Sequence, residues 1–117
     1  MILTDSILET VKLGIGIDPS YECFDEQILM HINSVFCNLQ EFGVGPKEGF
    51  IIENEDTTWS DYLENEKTLY FVKTYMVQKV KMVFDPPNSG ALMDALKSTI
   101  AELEWRIIHA AEMLKGD

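Results

Sequence analysis

Two histidines, two cysteines and twenty carboxylates are the side chains of this 117-residue sequence that could do chemistry. His31 lies in Leu29-Met30-His31-Ile32 and His109 falls near the end of the chain. A zinc site needs Cys or His ligands at short, set spacings. Neither histidine has a second His or a Cys so placed, so a structural or surface role is expected for both. Cys23 and Cys37 form no C-x-x-C and sit among apolar neighbours, which predicts buried free thiols rather than a disulfide or a nucleophile. Adjacent carboxylates occur, as in Asp25-Glu26 and Glu55-Asp56. A general acid needs surroundings that shift its pKa, and in so acidic a chain such pairs read as solvated charge. Gly14-Ile15-Gly16 and Gly43-Val44-Gly45 each lack the third glycine and the preceding strand of a nucleotide-binding turn, and no phosphate-loop motif occurs. No G-x-S-x-G occurs either. The expectation is no catalytic residue, no metal and no cofactor, hence no enzyme.

The elements that would position these groups are helical. The stretch from Leu69 to Trp105 holds two helix-like runs hinged at Phe84-Asp85-Pro86-Pro87-Asn88-Ser89. Pro86 and Pro87 lack backbone donors and clash with a preceding helical turn. Asp85, standing before a proline, is pushed out of the helical region. A helix reaching Phe84 must stop there, and Asn88 or Ser89 can cap the next one. Downstream, Leu92, Leu96, Ile100, Leu103, Ile107, Ala110 and Leu114 recur at steps of three and four, one apolar stripe ending near Gly116. A helix from 90 to 115 would be roughly 39 Å long. That exceeds a domain whose radius of gyration should be about 13 Å, so part of it should project or pack on a second copy. Upstream, Leu69, Val72, Met76, Val80 and Val83 form a stripe, but Tyr70, Phe71, Tyr75, Val77, Met82 and Phe84 fall outside it. Such an all-round apolar helix belongs at the centre of a core or against another subunit.

Nearer the start, Thr4 can cap a short helix carrying Ile7, Leu8 and Val11 that ends near Gly14. Asp18-Pro19 resembles a cap with proline in the first turn. Phe24, Ile28, Ile32, Val35, Leu39 and Phe42 mark a second helix closed by Gly43. From Gly43 to Glu66 the periodicity fails. Phe50 to Glu53 reads as a short strand or extended edge, and Thr57 or Thr58 as the cap of a turn through Trp59 and Tyr62. A connection this long is often functional. Its large apolar groups Phe50, Trp59 and Tyr62 should dock on the core or on a partner, with Trp59 either a core plug or an interface anchor. The fold class is therefore all-α: a four-helix, mostly antiparallel bundle with a long irregular loop between helices 2 and 3, in one domain over 1–117.

The composition bounds the partners. The chain is 46% hydrophobic with a net charge of −11, enough apolar content for a core and the wrong sign for holding nucleic acid. The only local basic cluster is Lys67, Lys73, Lys79 and Lys81, whose spacing makes no tight stripe. No apolar run nears the ~20 residues of a membrane span, and the N-terminus has no secretion-signal pattern; a cytosolic protein is expected.

Several runs together carry a resemblance. They are Phe24-Asp25-Glu26-Gln27-Ile28-Leu29-Met30-His31-Ile32-Asn33-Ser34-Val35-Phe36, Leu39-Gln40-Glu41-Phe42-Gly43-Val44-Gly45-Pro46, Trp59-Ser60-Asp61-Tyr62, Val72-Lys73-Thr74-Tyr75, and Phe84-Asp85-Pro86-Pro87 followed by Leu103-Glu104-Trp105-Arg106. In this order they resemble the head–tail connector (adaptor) proteins of tailed bacteriophages and prophages. These are packing and turn signatures, so the likeness rests on their joint order. The resemblance implies a small helical subunit without enzymatic activity or cofactor. It would form a ring with copies of itself beneath the portal protein, help seal the DNA-filled head, and offer a platform to the stopper or tail protein. It would assemble in the bacterial cytoplasm and reside in the virion, with no specific nucleic-acid binding and no membrane. Interface candidates are Phe50, Trp59, Tyr62, Tyr70 and Tyr75; Asp85, Pro86 and Pro87 form the structural hinge. Two other readings fit the residues: an acidic inhibitor that mimics DNA, supported by the −11 charge alone, and a generic helical binding module using the 43–66 loop.

Overall fold

A computed structural model describes the backbone of residues 5–115 and the side chains up to residue 113. Five helices follow in order: α1 (Ile7–Gly14), α2 (Asp25–Glu41), α3 (Trp59–Tyr62), α4 (Glu66–Phe84) and α5 (Gly90–Lys115). The fold is all-α, as expected, but with five helices rather than four, because the turn through Trp59 closes into a helical turn of its own. No strand forms among the described residues; Phe50–Glu53 is irregular, and among them the single isolated bridge joins Ser6 to Thr58.

Helix ends follow local chemistry. Thr4 and Gly116 lie outside the described residues. The cap of α1 is Ser6, whose Oγ accepts from the Glu9 N–H. Thr58 and Asp61 form a reciprocal capping box at α3, and Asn65 caps α4 by accepting from the Thr68 N–H, satisfying donors that a helix start leaves open. Asp18 caps no helix. Its carboxylate instead accepts from the Ser20 N–H and Oγ, and those bonds hold its pKa below the ordinary value. The helix starts at Asp25 because the intervening backbone is tied elsewhere, as described below. Gly43, at φ 92°, ends α2 in the left-handed region, where a side chain is disfavoured.

The proline corner forms as the sequence dictates. α4 stops at Phe84, Asp85 takes an extended φ of −145°, and Ser89 Oγ accepts from the Leu92 N–H to open α5. Pro86→Ala with Pro87→Ala should let α4 run past Phe84 and misplace α5. Far-UV circular dichroism should show added helix with a lowered, broadened melt; an unchanged spectrum and melt would mean the corner is set elsewhere.

The core is arranged around α4, which packs against α1, α2 and α5. Leu69, Val72, Tyr75, Met76 and Val80 are its buried face. From the other helices come Ile7, Leu8 and Val11; Ile28, Ile32, Val35, Phe36 and Leu39; and Ile100, Leu103, Ile107 and Ala111. The α5 stripe differs from the expected one at both ends. Ala111 rather than Ala110 is the more buried, and Leu92 is 62% exposed because the start of α5 extends past the body it packs on. The same holds for Val83 and Phe24, stripe members at the far ends of α4 and α2. Cys23 and Cys37 are exposed free thiols, not the buried ones expected. Cys23 precedes α2, and Cys37 falls on the helix face opposed to Val35 and Leu39, so their apolar neighbours in sequence are not neighbours in the core.

Candidate interaction surfaces

The long segment after α2 is fastened inward by its aromatics. Phe36 of α2 meets Phe50 at 5.1 Å and Tyr62 at 4.7 Å between ring centroids, and Phe50 meets Tyr62 at 5.0 Å. Trp59 stands 6.4 Å from Phe36 and is wholly buried. Its indole N–H donates to Thr10 Oγ1, whose own hydroxyl donates to Ser6 O. The backbone around it is pinned too: Trp59 N–H donates to Asp5 O, Ile7 N–H donates to Thr57 O, and Ser60 Oγ donates to the Asp5 carboxylate. Residues 57–60 thus clasp the start of α1. Three of the interface candidates, Trp59, Tyr62 and Tyr75, are buried inside the chain; Phe50 is half-buried and Tyr70 is 70% exposed. Trp59 is the core plug of the two roles open to it.

Tyr62 has an uncommon setting. Its hydroxyl is buried with no hydrogen-bond partner among the described residues, and its ring presses on Gly45, where an added Cβ would come within 2.6 Å. Burial pushes the Tyr62 phenol far above its ordinary value. Tyr75 is raised as well, first by burial and then by its hydrogen bond to Glu104 Oε2 at 2.8 Å. The folded chain favours both neutral phenols. Their contribution is complete below the ordinary tyrosine value of 10.0 and is lost as pH rises above it. Melting temperature should therefore hold up to about pH 10 and fall beyond it. Tyr62→Phe should be neutral or stabilising at pH 7, because it removes an unpaired buried hydroxyl, and should weaken the alkaline decline. A variant that melts earlier at pH 7 would mean that the hydroxyl is paired.

Sequence reasoning missed Lys12. It is 1% exposed, on the buried face of α1. Its ammonium donates to Pro19 O at 2.9 Å, Tyr21 O at 2.7 Å and Asp25 Oδ1 at 2.6 Å. Three donors meet three acceptors, so the charge is matched and the 18–24 turn is bound to α1 and to the start of α2. A lysine on the same helix face as Leu8 and Val11 was the available signal.

Two of the exposed surfaces among the described residues group apolar side chains, and they differ. One is a groove of about 650 Å³ lined by Phe24, Gln27, Met30, His31, Val83 and Phe84. The rings of Phe24 and Phe84 in its lining meet at 5.3 Å, Tyr21 stands 5.7 Å from Phe24, and Met30 is 70% exposed. The other, of about 560 Å³, lies between the start of α4 and the end of α5, with Lys67, Phe71, Trp105, Arg106, His109 and Met113 among its lining. Trp105 stacks flat on His109 at 5.1 Å yet stays 63% exposed. Exposed aromatic and Met side chains grouped in this way make the two grooves candidate contact sites. The lysines give no basic stripe: Lys73 lies over the Trp59 ring at 5.8 Å and Lys79 over Tyr75 at 6.0 Å. Among the described residues, no group of three or more His, Cys, Asp or Glu side chains could hold a metal, and no helix is long and apolar enough to cross a membrane.

No curated protein and no solved structure matches the chain. A family model does, described as phage connector protein, and it covers residues 7–113, from the first turn of α1 to the last described turns of α5. With helices, proline corner and docked loop all inside that match, the chain belongs to the phage connector proteins, a structural family.

Proposed function

We propose that the chain is a ring-forming head–tail connector subunit that docks beneath the portal protein and joins the DNA-filled head to the tail. The family match across residues 7–113 carries this reading. The surfaces are suited to it. A ring closes through head-to-tail contacts, which need two unlike patches on each subunit, and the Phe24–Met30 groove and the Trp105–His109 groove are unlike in lining and position. Further faces are left for the portal and for the tail or stopper protein. The net charge of −11 suits a channel wall that repels passing DNA instead of binding it. No side chain is asked to perform a reaction, and no cofactor, membrane or specific nucleic acid takes part. Assembly takes place in the bacterial cytoplasm and the product is a virion component.

The test is capture on DNA-filled capsids that carry the portal but lack a connector. The protein should be retained by these and not by portal-free capsids. Met30→Glu, a substitution at an exposed side chain, should leave the melt within about 0.5 kcal/mol of wild type while changing retention or ring formation. Equal retention on portal-free capsids, or tight salt-sensitive binding to a DNA-processing enzyme instead, would overturn the connector reading.

A further inference from the structure

The α4–α5 groove has a charge opposite to that of the chain as a whole. Its lining includes the apolar Phe71, Trp105 and Met113 and the basic Lys67 and Arg106. Arg106 gives Nε and Nη2 to Glu102 Oε2, an exposed pair at 3.0 Å; its Nη1 has no partner among the described residues and remains for a second carboxylate. The groove therefore fits an acidic segment that also carries an apolar side chain.

The chain presents such a segment elsewhere. Residues 51–56 read Ile51-Ile52-Glu53-Asn54-Glu55-Asp56, and all but Ile52 are exposed. Ile52 is anchored to α2 by both backbone groups: its N–H donates to Asn33 Oδ1 at 2.8 Å and its C=O accepts from Asn33 Nδ2 at 3.0 Å. Ile52 is buried while its neighbour Ile51 is 65% exposed. Asn54 Oδ1 accepts from the Asp56 N–H and shapes the acidic tip. The segment is thus held in place before it binds anything, which lowers the entropy cost of docking. Loop and groove belong to different flanks of α4, one fastened to α2 and the other built with α5.

We infer that residues 51–56 of one copy dock in the α4–α5 groove of the next, with Ile51 on Trp105 and Glu53 and Glu55 facing Lys67 and Arg106. This deepens the ring reading and rests on it for its biological setting. A second copy is the occupant because the loop matches the groove in both charge and apolar content. The contact is head-to-tail, so each copy keeps one free loop and one free groove, and charge complementarity sets its register.

Sedimentation velocity over a concentration series tests it with three proteins. They are the wild type, a groove variant (Lys67→Glu with Arg106→Glu) and a loop variant (Glu53→Lys with Glu55→Lys). All four positions are exposed, and circular dichroism should show that both variants fold. Wild type should self-associate, more weakly in high salt, and each variant alone should associate at least about tenfold more weakly. Mixing the two variants should restore association, since every loop then has a groove of opposite charge. Variants that associate like wild type, a mixture that stays dissociated, or a wild type that stays monomeric throughout would each overturn the contact. Capsid retention separates the two claims. Retention on portal-bearing capsids with unaffected variants sinks this contact alone, whereas charge-rescued self-association without capsid retention sinks the connector reading alone.

Discussion

Trp59→Ala should destabilise the chain by about 3–5 kcal/mol, lowering the melting midpoint by roughly 10–20 °C. The indole is wholly buried beside Phe36, so truncation leaves a cavity the size of two fused rings. It also strips Thr10 Oγ1 of its donor and loosens the clasp of residues 57–60 on α1. Assembly should fail as a consequence of the lost fold. Trp59→Phe, which keeps much of the volume, should recover more than half of the stability and with it any assembly. A normal melt with selectively lost assembly would instead make Trp59 a contact residue exposed by a rearrangement of the loop.

Lys12→Met should cost about 2–4 kcal/mol even though methionine retains most of the side-chain stem. Two backbone carbonyls lose their donor, and the Asp25 carboxylate loses a cation 2.6 Å away. The loss stays below that of a fully enclosed pair because the Asp25 side chain is 26% exposed and keeps some water. Asp25→Asn should cost less, since the amide oxygen still accepts from the ammonium. Urea unfolding should show a lowered midpoint with an unchanged slope. The substitution should also free the turn that carries Tyr21 and Phe24, so any contact through the Phe24–Met30 groove should weaken with it. A Lys12→Met variant as stable as wild type would mean that the ammonium adds nothing to the turn.

Helix positions were legible where the apolar period was long. The stripes of α2 and α4 are buried through Ile28, Ile32, Val35, Leu39 and Leu69, Val72, Met76, Val80. They fail only at the ends, where a regular pattern outruns the neighbour it would pack against. The proline corner was equally legible, because it follows from covalent geometry at two adjacent residues. Cys23 and Cys37 are exposed despite their apolar sequence neighbours because closeness along the chain is not closeness in space. The interface candidates were chosen for size and aromaticity, a criterion that cannot separate a ring turned inward from one turned outward. Trp59 and Tyr62 turn inward, whereas Trp105, absent from those candidates, turns outward.

By itself the sequence determined the existence of α1, α2, α4 and α5, the stop of α4 at Phe84, and a net charge of −11. These depend on residues a few positions apart, where backbone sterics and helical period act directly. Only the tertiary structure decided that the irregular segment folds back onto α1 and α2, that Lys12 is a buried clamp, and that two unlike apolar grooves remain open. Each of those depends on side chains between about seven and sixty positions apart, such as Lys12 with Pro19, Trp59 with Thr10 and Phe24 with Phe84. Contacts at such separations are made or refused by the packing of the whole core, and no local pattern encodes them.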